Sequence, residues 1–300
     1  MNKAIGTLYT NMACPYAHRA MLALELRPVP HLQHELICTT NQFNVIDRLG
    51  LKASDELGML SMFSGKSAEE LHAKKDAFKR INPSGEVPTL QLASGSIVRE
   101  SEIVAEFLDA TSDAAGQRLV PEHPLAAARV RIAMKAFNAV PPALVALLKN
   151  QDELCDESLT AAIDSAVAKF TLTIDDGKEP GAKFCFAGAA PTLADIHAAP
   201  FIFRFAIVLK HYRGYCLVTR HPRLGQVLRA MEALPQWRAV LDPADKAYPA
   251  VTEEGLIGLY AGYANNNLWA NAEPGRLALA GRGVSRLPET STETKRQRVG

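Results

Sequence analysis

A cysteine stands where a short apolar strand gives way to a helix, in the run Met12-Ala13-Cys14-Pro15-Tyr16-Ala17-His18-Arg19. Pro15 fits the first helical position, where its missing N–H leaves nothing unpaired. Cys14 then falls at the N-cap, facing free backbone N–H groups and the positive end of the helix dipole. That setting favours a thiolate and is expected to lower the thiol pKa. The chemistry it supports is thiol exchange with the sulfur as nucleophile. Ala17 occupies the place where a Cys-x-x-Cys redox pair carries its second cysteine. Cys14 thus has no neighbouring thiol to resolve a mixed disulfide, and an external thiol, glutathione first, must do so. The competing reading of a lone cysteine is core packing, which the strand-Cys-Pro-helix order disfavours.

Two further clusters carry chemistry. Residues 82–92 (Asn82-Pro83-Ser84-Gly85-Glu86-Val87-Pro88-Thr89-Leu90-Gln91-Leu92) read as a turn entering a strand. A proline just before a pairing strand is a common place for a cis bond, and it leaves the Val87 N–H and C=O at a sheet edge. Those groups can pair with an extended peptide ligand. Arg99-Glu100-Ser101-Glu102 opens a helix with Ser101 as its expected N-cap. A helix N-terminus bearing Ser and Glu can hold a ligand's carboxylate and ammonium together. Capping alone accounts for Glu100 and Ser101 equally well.

The elements that must position these residues follow from periodicity. Residues 5–9 read as a strand, the chain from Pro15 as a helix (Ala20, Leu22, Ala23, Leu24, Leu26), and 31–37 as a second strand parallel to the first. Residues 39–66 form a long excursion, partly ordered and placed to cover the cleft. Ser67-Ala68-Glu69-Glu70 is a capping box for a helix with Leu71, Lys74, Lys75 and Phe78. A hairpin turn at 93–96 completes the order β-α-β-(insertion)-α-β-β-α. After the linker Pro121-Glu122-His123-Pro124 come amphipathic helices over 126–149, 159–175, 192–210 and 221–231. Within them Thr192-Leu193-Ala194-Asp195 is a second capping box, with a folding role.

A net charge of +1 leaves no basic face for nucleic acid or an anionic membrane. The five cysteines (Cys14, Cys38, Cys155, Cys185, Cys216) are an odd set without metal-ligand spacing, so neither a disulfide framework nor a metal is expected, and a reducing compartment fits. No apolar run approaches the ~20 residues of a membrane span, and the N-terminus has no basic segment followed by an apolar one. A cytoplasmic protein is expected, with residues 287–300 as a disordered tail.

Taken together, these motifs resemble the cytosolic glutathione transferases, and within them the omega-like, cysteine-containing group. The first-helix motif of that group, Cys-Pro-Phe-Ala-His-Arg, stands here as Cys14-Pro15-Tyr16-Ala17-His18-Arg19. The resemblance spans residues 5–245 and takes in the Asn82-to-Pro88 run, Glu100-Ser101 and the capping box at Thr192. It implies an α/β thioredoxin-like N-terminal domain that binds glutathione (1–115, with the insertion at 39–66). An all-α C-terminal domain (124–275) walling the second substrate's pocket is implied too, as is a homodimer. By position, Cys14 is the thiol that forms a mixed disulfide with glutathione, and Pro15 and Tyr16 belong to the same site. Val87 pairs through its backbone with the cysteinyl part, next to a cis Pro88. Glu100 and Ser101 hold the γ-glutamyl end, and Lys74, or Lys75 in its place, meets a carboxylate. The activity implied is thiol transfer and dehydroascorbate reduction on small-molecule thiol, disulfide or electrophilic substrates. The alternatives are a conjugating transferase and a non-catalytic, glutathione-transferase-like interaction module. The excursion at 39–66 departs from the family pattern. So does the stretch beyond residue 248 with Tyr260, Tyr263 and Trp269, which either packs over the second-substrate pocket or decorates the surface.

Overall fold

The computed structural model describes residues 5–36, 68–176, 182–186, 190–242 and 251–264. β1 (Gly6–Thr10) runs inside a four-stranded sheet of order β2-β1-β3-β4. It pairs in parallel with β2 (Leu32–Leu36) and antiparallel with β3 (Thr89–Leu92), which in turn pairs antiparallel with β4 (Ile97–Val98). The parallel pair needs a crossover, and α1 (Pro15–Leu26) supplies it. β3 comes so close to β1 that a Cβ on Gly6 would sit 2.4 Å from the Gln91 carbonyl oxygen. Only glycine fits there. Tyr9 meets Phe78 of α2 (Ala68–Ile81) at a ring separation of 5.2 Å, while α3 (Ser101–Thr111) packs along α1. The expected order of these elements is observed. The excursion at 39–66, Ser67 of the first capping box, Trp269 and the tail at 287–300 lie outside the described residues.

The second half is helical: α4 (Pro124–Phe137), α5 (Val140–Lys149), α6 (Asp156–Asp175), α7 (Leu193–Arg213), α8 (Leu217–Arg220), α9 (Pro222–Glu232), α10 (Pro235–Leu241) and α11 (Glu253–Ala264). The single helix expected over 126–149 is two. Pro141 and Pro142 offer no N–H to continue a helix through Asn138 and Ala139, but both fit the first turn of a new one. The stretch Pro124–Lys149 is apolar enough to cross a membrane by composition. Its buried face (Val130, Phe137, Leu144, Leu147) is instead taken up against α6 and α7, with Phe137 edge-on to Phe170 at 5.0 Å.

α7 is buried on nearly every side, as a helix apolar all round must be. Its start is fixed twice. The Asp195 carboxylate accepts the Thr192 N–H at 2.8 Å, the Thr192 hydroxyl at 2.9 Å and the Cys185 N–H at 2.6 Å, completing the expected capping box. The Leu193 N–H donates to the Leu119 carbonyl at 2.8 Å. Leu119 and Val120 are themselves held by the buried Asp109 carboxylate at the end of α3, at 3.0 Å each. One chain of buried polar contacts therefore ties the sheet half to the helix that runs behind the Cys14 turn.

Candidate active site

The β1–α1 turn is shaped by Asn11. Its side-chain oxygen accepts the Ala13 N–H at 3.0 Å and its backbone carbonyl the Cys14 N–H at 3.1 Å. Cys14 is left in extended geometry (φ −79°, ψ 120°) at the N-cap of α1, with Pro15 at the first helical position. Its sulfur is partly buried, makes no capping hydrogen bond, and lies 3.9 Å from the Val87 carbonyl oxygen. The Val87–Pro88 bond is cis. The structure thus brings Cys14, Pro15, Val87 and Pro88 together.

The expected direction of the thiol pKa is not what the structure gives. Burial pushes the Cys14 thiol up; the amides of Ala17 and Tyr16 and the cations Arg204 and Arg19 pull it back only in part. The helix end acts as anticipated, but the apolar packing around the sulfur outweighs it.

Both arginines are central to the turn. Arg204 of α7 is wholly buried. Its Nε donates to the Ala13 carbonyl at 3.1 Å and its Nη2 to the Met12 carbonyl at 3.1 Å. Its Nη1 donates to the Pro200 carbonyl at 3.1 Å and to His18 Nδ1 at 3.0 Å. His18, tilted against Trp237 at 4.9 Å, is held neutral because burial drives its pKa well below the usual range. Arg19 donates to the His197 carbonyl at 2.9 Å and to the Ser101 hydroxyl at 3.0 Å, and lies over the Phe201 ring at 4.7 Å. Burial brings its pKa down to about 10.

Other expected site residues sit as follows. Tyr16 is half-exposed, with its ring edge-on to Phe201 at 4.9 Å. Ser101 is not the N-cap: α3 begins at Ser101 and Glu100 takes the cap position with φ +66°. The Ser101 hydroxyl accepts from Arg19 rather than closing the helix end. A non-glycine residue at such a φ is strained by about 1–3 kcal/mol, and such residues cluster at ligand clamps. Lys74 faces Glu35 of β2 at 3.6 Å. The side chain of Lys75 lies outside the described residues.

Sequence reasoning gave no role to Arg204, nor to Arg19 within its motif. Arg204 had a signal, a lone charge in the apolar run Phe201-Ile202-Phe203-Arg204-Phe205. The two C-terminal tyrosines join the site from α11. Tyr260 packs edge-on to Phe205 at 5.8 Å and lies 5.7 Å from Tyr263, while the Tyr212 hydroxyl fastens α11 to α7 through the Ile257 carbonyl at 2.6 Å. Burial raises both phenol pKa values, and Cys14 adds to each. Tyr260 is buried and Tyr263 partly buried, and both lie near enough to Cys14 for its charge to act on them. Among the described residues no group of His, Cys, Asp and Glu is arranged to hold a metal ion.

Comparison with known proteins agrees with this geometry. Residues 13–111 match the glutathione S-transferase N-terminal domain family. Mouse glutathione S-transferase omega-1 is 24% identical over 229 residues, 76% of this chain and 77% of that protein. Among solved structures, glutathione transferase Omega 3C from Trametes versicolor superposes with a TM-score of 0.60 at 21% identity, covering 87% of this chain and 91% of its own. The dehydroascorbate reductase of Chlamydomonas reinhardtii gives 0.55 at 20% identity, covering 86% and 98%. At these identities the structural likeness establishes the fold, a thioredoxin-like α/β unit followed by an all-helical one. Residues 13–111 thus carry the match to a glutathione S-transferase N-terminal domain, and the chain as a whole is similar to omega-class glutathione transferases.

Proposed function

We propose that the protein is a glutathione-dependent thiol transferase and reductase in which Cys14 is the nucleophile. The observation that carries this reading is the Cys14 sulfur at the N-terminus of α1, unbonded as a cap and lying against the Val87 carbonyl beside the cis Pro88. A mouse relative with an omega-class name and a fold neighbour named dehydroascorbate reductase support the same class of chemistry. In this reading residues 1–115 bind glutathione and residues 124–275 wall the second substrate's pocket in a cytoplasmic homodimer. Pro15, Tyr16, Val87 and Pro88 cradle the cysteinyl part, Glu100 and Ser101 the γ-glutamyl end, and Lys74 a carboxylate.

The Cys14 thiolate attacks the glutathione sulfur of a mixed disulfide. One S–S bond forms as the other breaks, and the substrate leaves as a thiolate that takes a proton from solvent. A second glutathione thiolate then attacks the protein-bound glutathione, releasing oxidised glutathione and restoring Cys14. The raised thiol pKa lowers the thiolate fraction at neutral pH but makes each thiolate a better nucleophile.

The test is glutathione-dependent reduction of a mixed disulfide and of dehydroascorbate by wild type and Cys14→Ala, with intact mass after treatment with oxidised glutathione. The expected result is activity and a single glutathione adduct on wild type, and neither on the variant. Full activity in Cys14→Ala overturns the reading.

A further inference from the structure

Arg204 combines two properties that rarely occur together: it is wholly buried, and among the described residues no carboxylate pairs with it. A buried cation without a counter-charge is costly. Backbone carbonyls and a neutral histidine satisfy its N–H groups, yet none of these carries charge. The acidic groups that act on it are two, the Tyr260 phenol and the Cys14 thiol. Two of its bonds go to Met12 and Ala13, the residues immediately before the cysteine. Arg19, the other cation at the turn, has the Glu102 carboxylate acting on it as well.

We propose that Arg204 is a positioning residue for Cys14 and the resident counter-cation of its thiolate. α7 braces the strand-to-helix turn from behind, and loss of the thiol proton to solvent turns an unpaired buried cation into a buried ion pair. The titratable and charged groups facing the sulfur are Arg19 from α1, Arg204 from α7, and Tyr260 and Tyr263 from α11. Arg204 is distinguished among them by its bonds to the turn itself. The site's readiness for thiol chemistry then depends on a helical-half residue more than a hundred positions away in sequence. This inference deepens the thiol-transfer reading and rests on it for its functional meaning.

The experiment is the pH profile of Cys14 alkylation by iodoacetamide, read by mass on the Cys14 peptide, in wild type, Arg204→Lys and Arg204→Gln. Arg204→Gln removes the charge and is expected to slow alkylation at pH 7 at least tenfold by moving the midpoint upward. Arg204→Lys keeps the charge and is expected to stay within threefold of wild type. Identical profiles in all three proteins overturn the proposal. Equal slowing in both variants overturns the counter-cation role, because the bonds alone would then matter. If Arg204→Gln does not fold, the guanidinium nitrogen resonance of Arg204 is followed by NMR in wild type and Cys14→Ala. A shift that tracks the Cys14 titration and vanishes in Cys14→Ala supports the pairing, and a flat resonance overturns it. Alkylation needs no glutathione, so an enzyme inactive in thiol transfer but sensitive at Arg204 separates failure of the functional reading from failure of this one.

Discussion

The chain builds two helix N-termini from similar materials and uses them in opposite ways. At the start of α7 the Asp195 carboxylate is saturated by the Thr192 N–H, the Thr192 hydroxyl and the Cys185 N–H, all buried. At the start of α1 the Cys14 sulfur closes no cap, and the amides of Tyr16 and Ala17 remain directed toward it. A helix end that serves folding pairs its free N–H groups within the chain. The end proposed to serve chemistry leaves them facing an atom that can change its charge. α7 joins the two, since its N-terminus is the fixed end and Arg204, about 17 Å further along the helix at ~1.5 Å per residue, reaches the open one.

The largest effect that tests this contrast is expected at the open end. Cys14→Ala should lower mixed-disulfide reduction at least about a thousandfold, roughly 4 kcal/mol of barrier, while unfolding in urea changes by less than about 1 kcal/mol. A loss of stability as large as the loss of rate would put Cys14 on the folding side of the comparison.

The fixed end should behave the other way. Asp195→Ala strands two buried N–H groups and a hydroxyl, and the expected cost is about 3 kcal/mol of unfolding free energy. The alkylation profile of Cys14 in the folded protein should stay where it is. A shifted profile without lost stability would mean that the capping box tunes the sulfur rather than the fold.

How much of this was legible in the sequence follows from the range of each interaction. Cys14-Pro15, Val87-Pro88, the order of the elements along the chain and the Thr192–Asp195 box depend on residues a few positions apart, and periodicity and capping chemistry reveal them. The direction of the thiol pKa is not legible locally, because it depends on what packs around the sulfur from elsewhere. Arg204 and the two tyrosines of α11 are brought there by tertiary contacts that no local spacing encodes. The cap of α3 falls one position before Ser101 for a similar reason: the Ser101 hydroxyl is taken by Arg19, and the helix starts without it. Pro141 and Pro142 mark the break at Asn138–Ala139, but the apolar pattern runs through it and reads as one helix.

The pH dependence sharpens the comparison with a smaller effect. Because burial raises the Cys14 pKa, the thiolate fraction, and with it the alkylation rate, should still be climbing as pH passes the free-thiol midpoint of about 8.5. Below the midpoint the climb is about tenfold per pH unit. A plateau already reached near pH 7 would mean that the helix end outweighs the packing after all.

The smallest effect concerns Lys74, for which two roles compete. Half-exposed and 3.6 Å from Glu35, it makes a surface pair worth under about 1 kcal/mol, so Lys74→Met should scarcely move the unfolding midpoint. If Lys74 also meets a glutathione carboxylate, the same change should raise KM for glutathione about fivefold, near 1 kcal/mol of a charged hydrogen bond at a solvated site, and leave kcat alone. Glu35→Gln removes the protein partner but not the cation, and its KM should stay within twofold of wild type. An unchanged KM in Lys74→Met would make Lys74 a partner of Glu35 and nothing more. The glutathione site would then reduce to the Cys14 turn, the Val87 edge and the start of α3. Equal rises in both variants would mean that the ion pair orients the lysine, so that a second charge near this site would act as a positioning group, as proposed for Arg204.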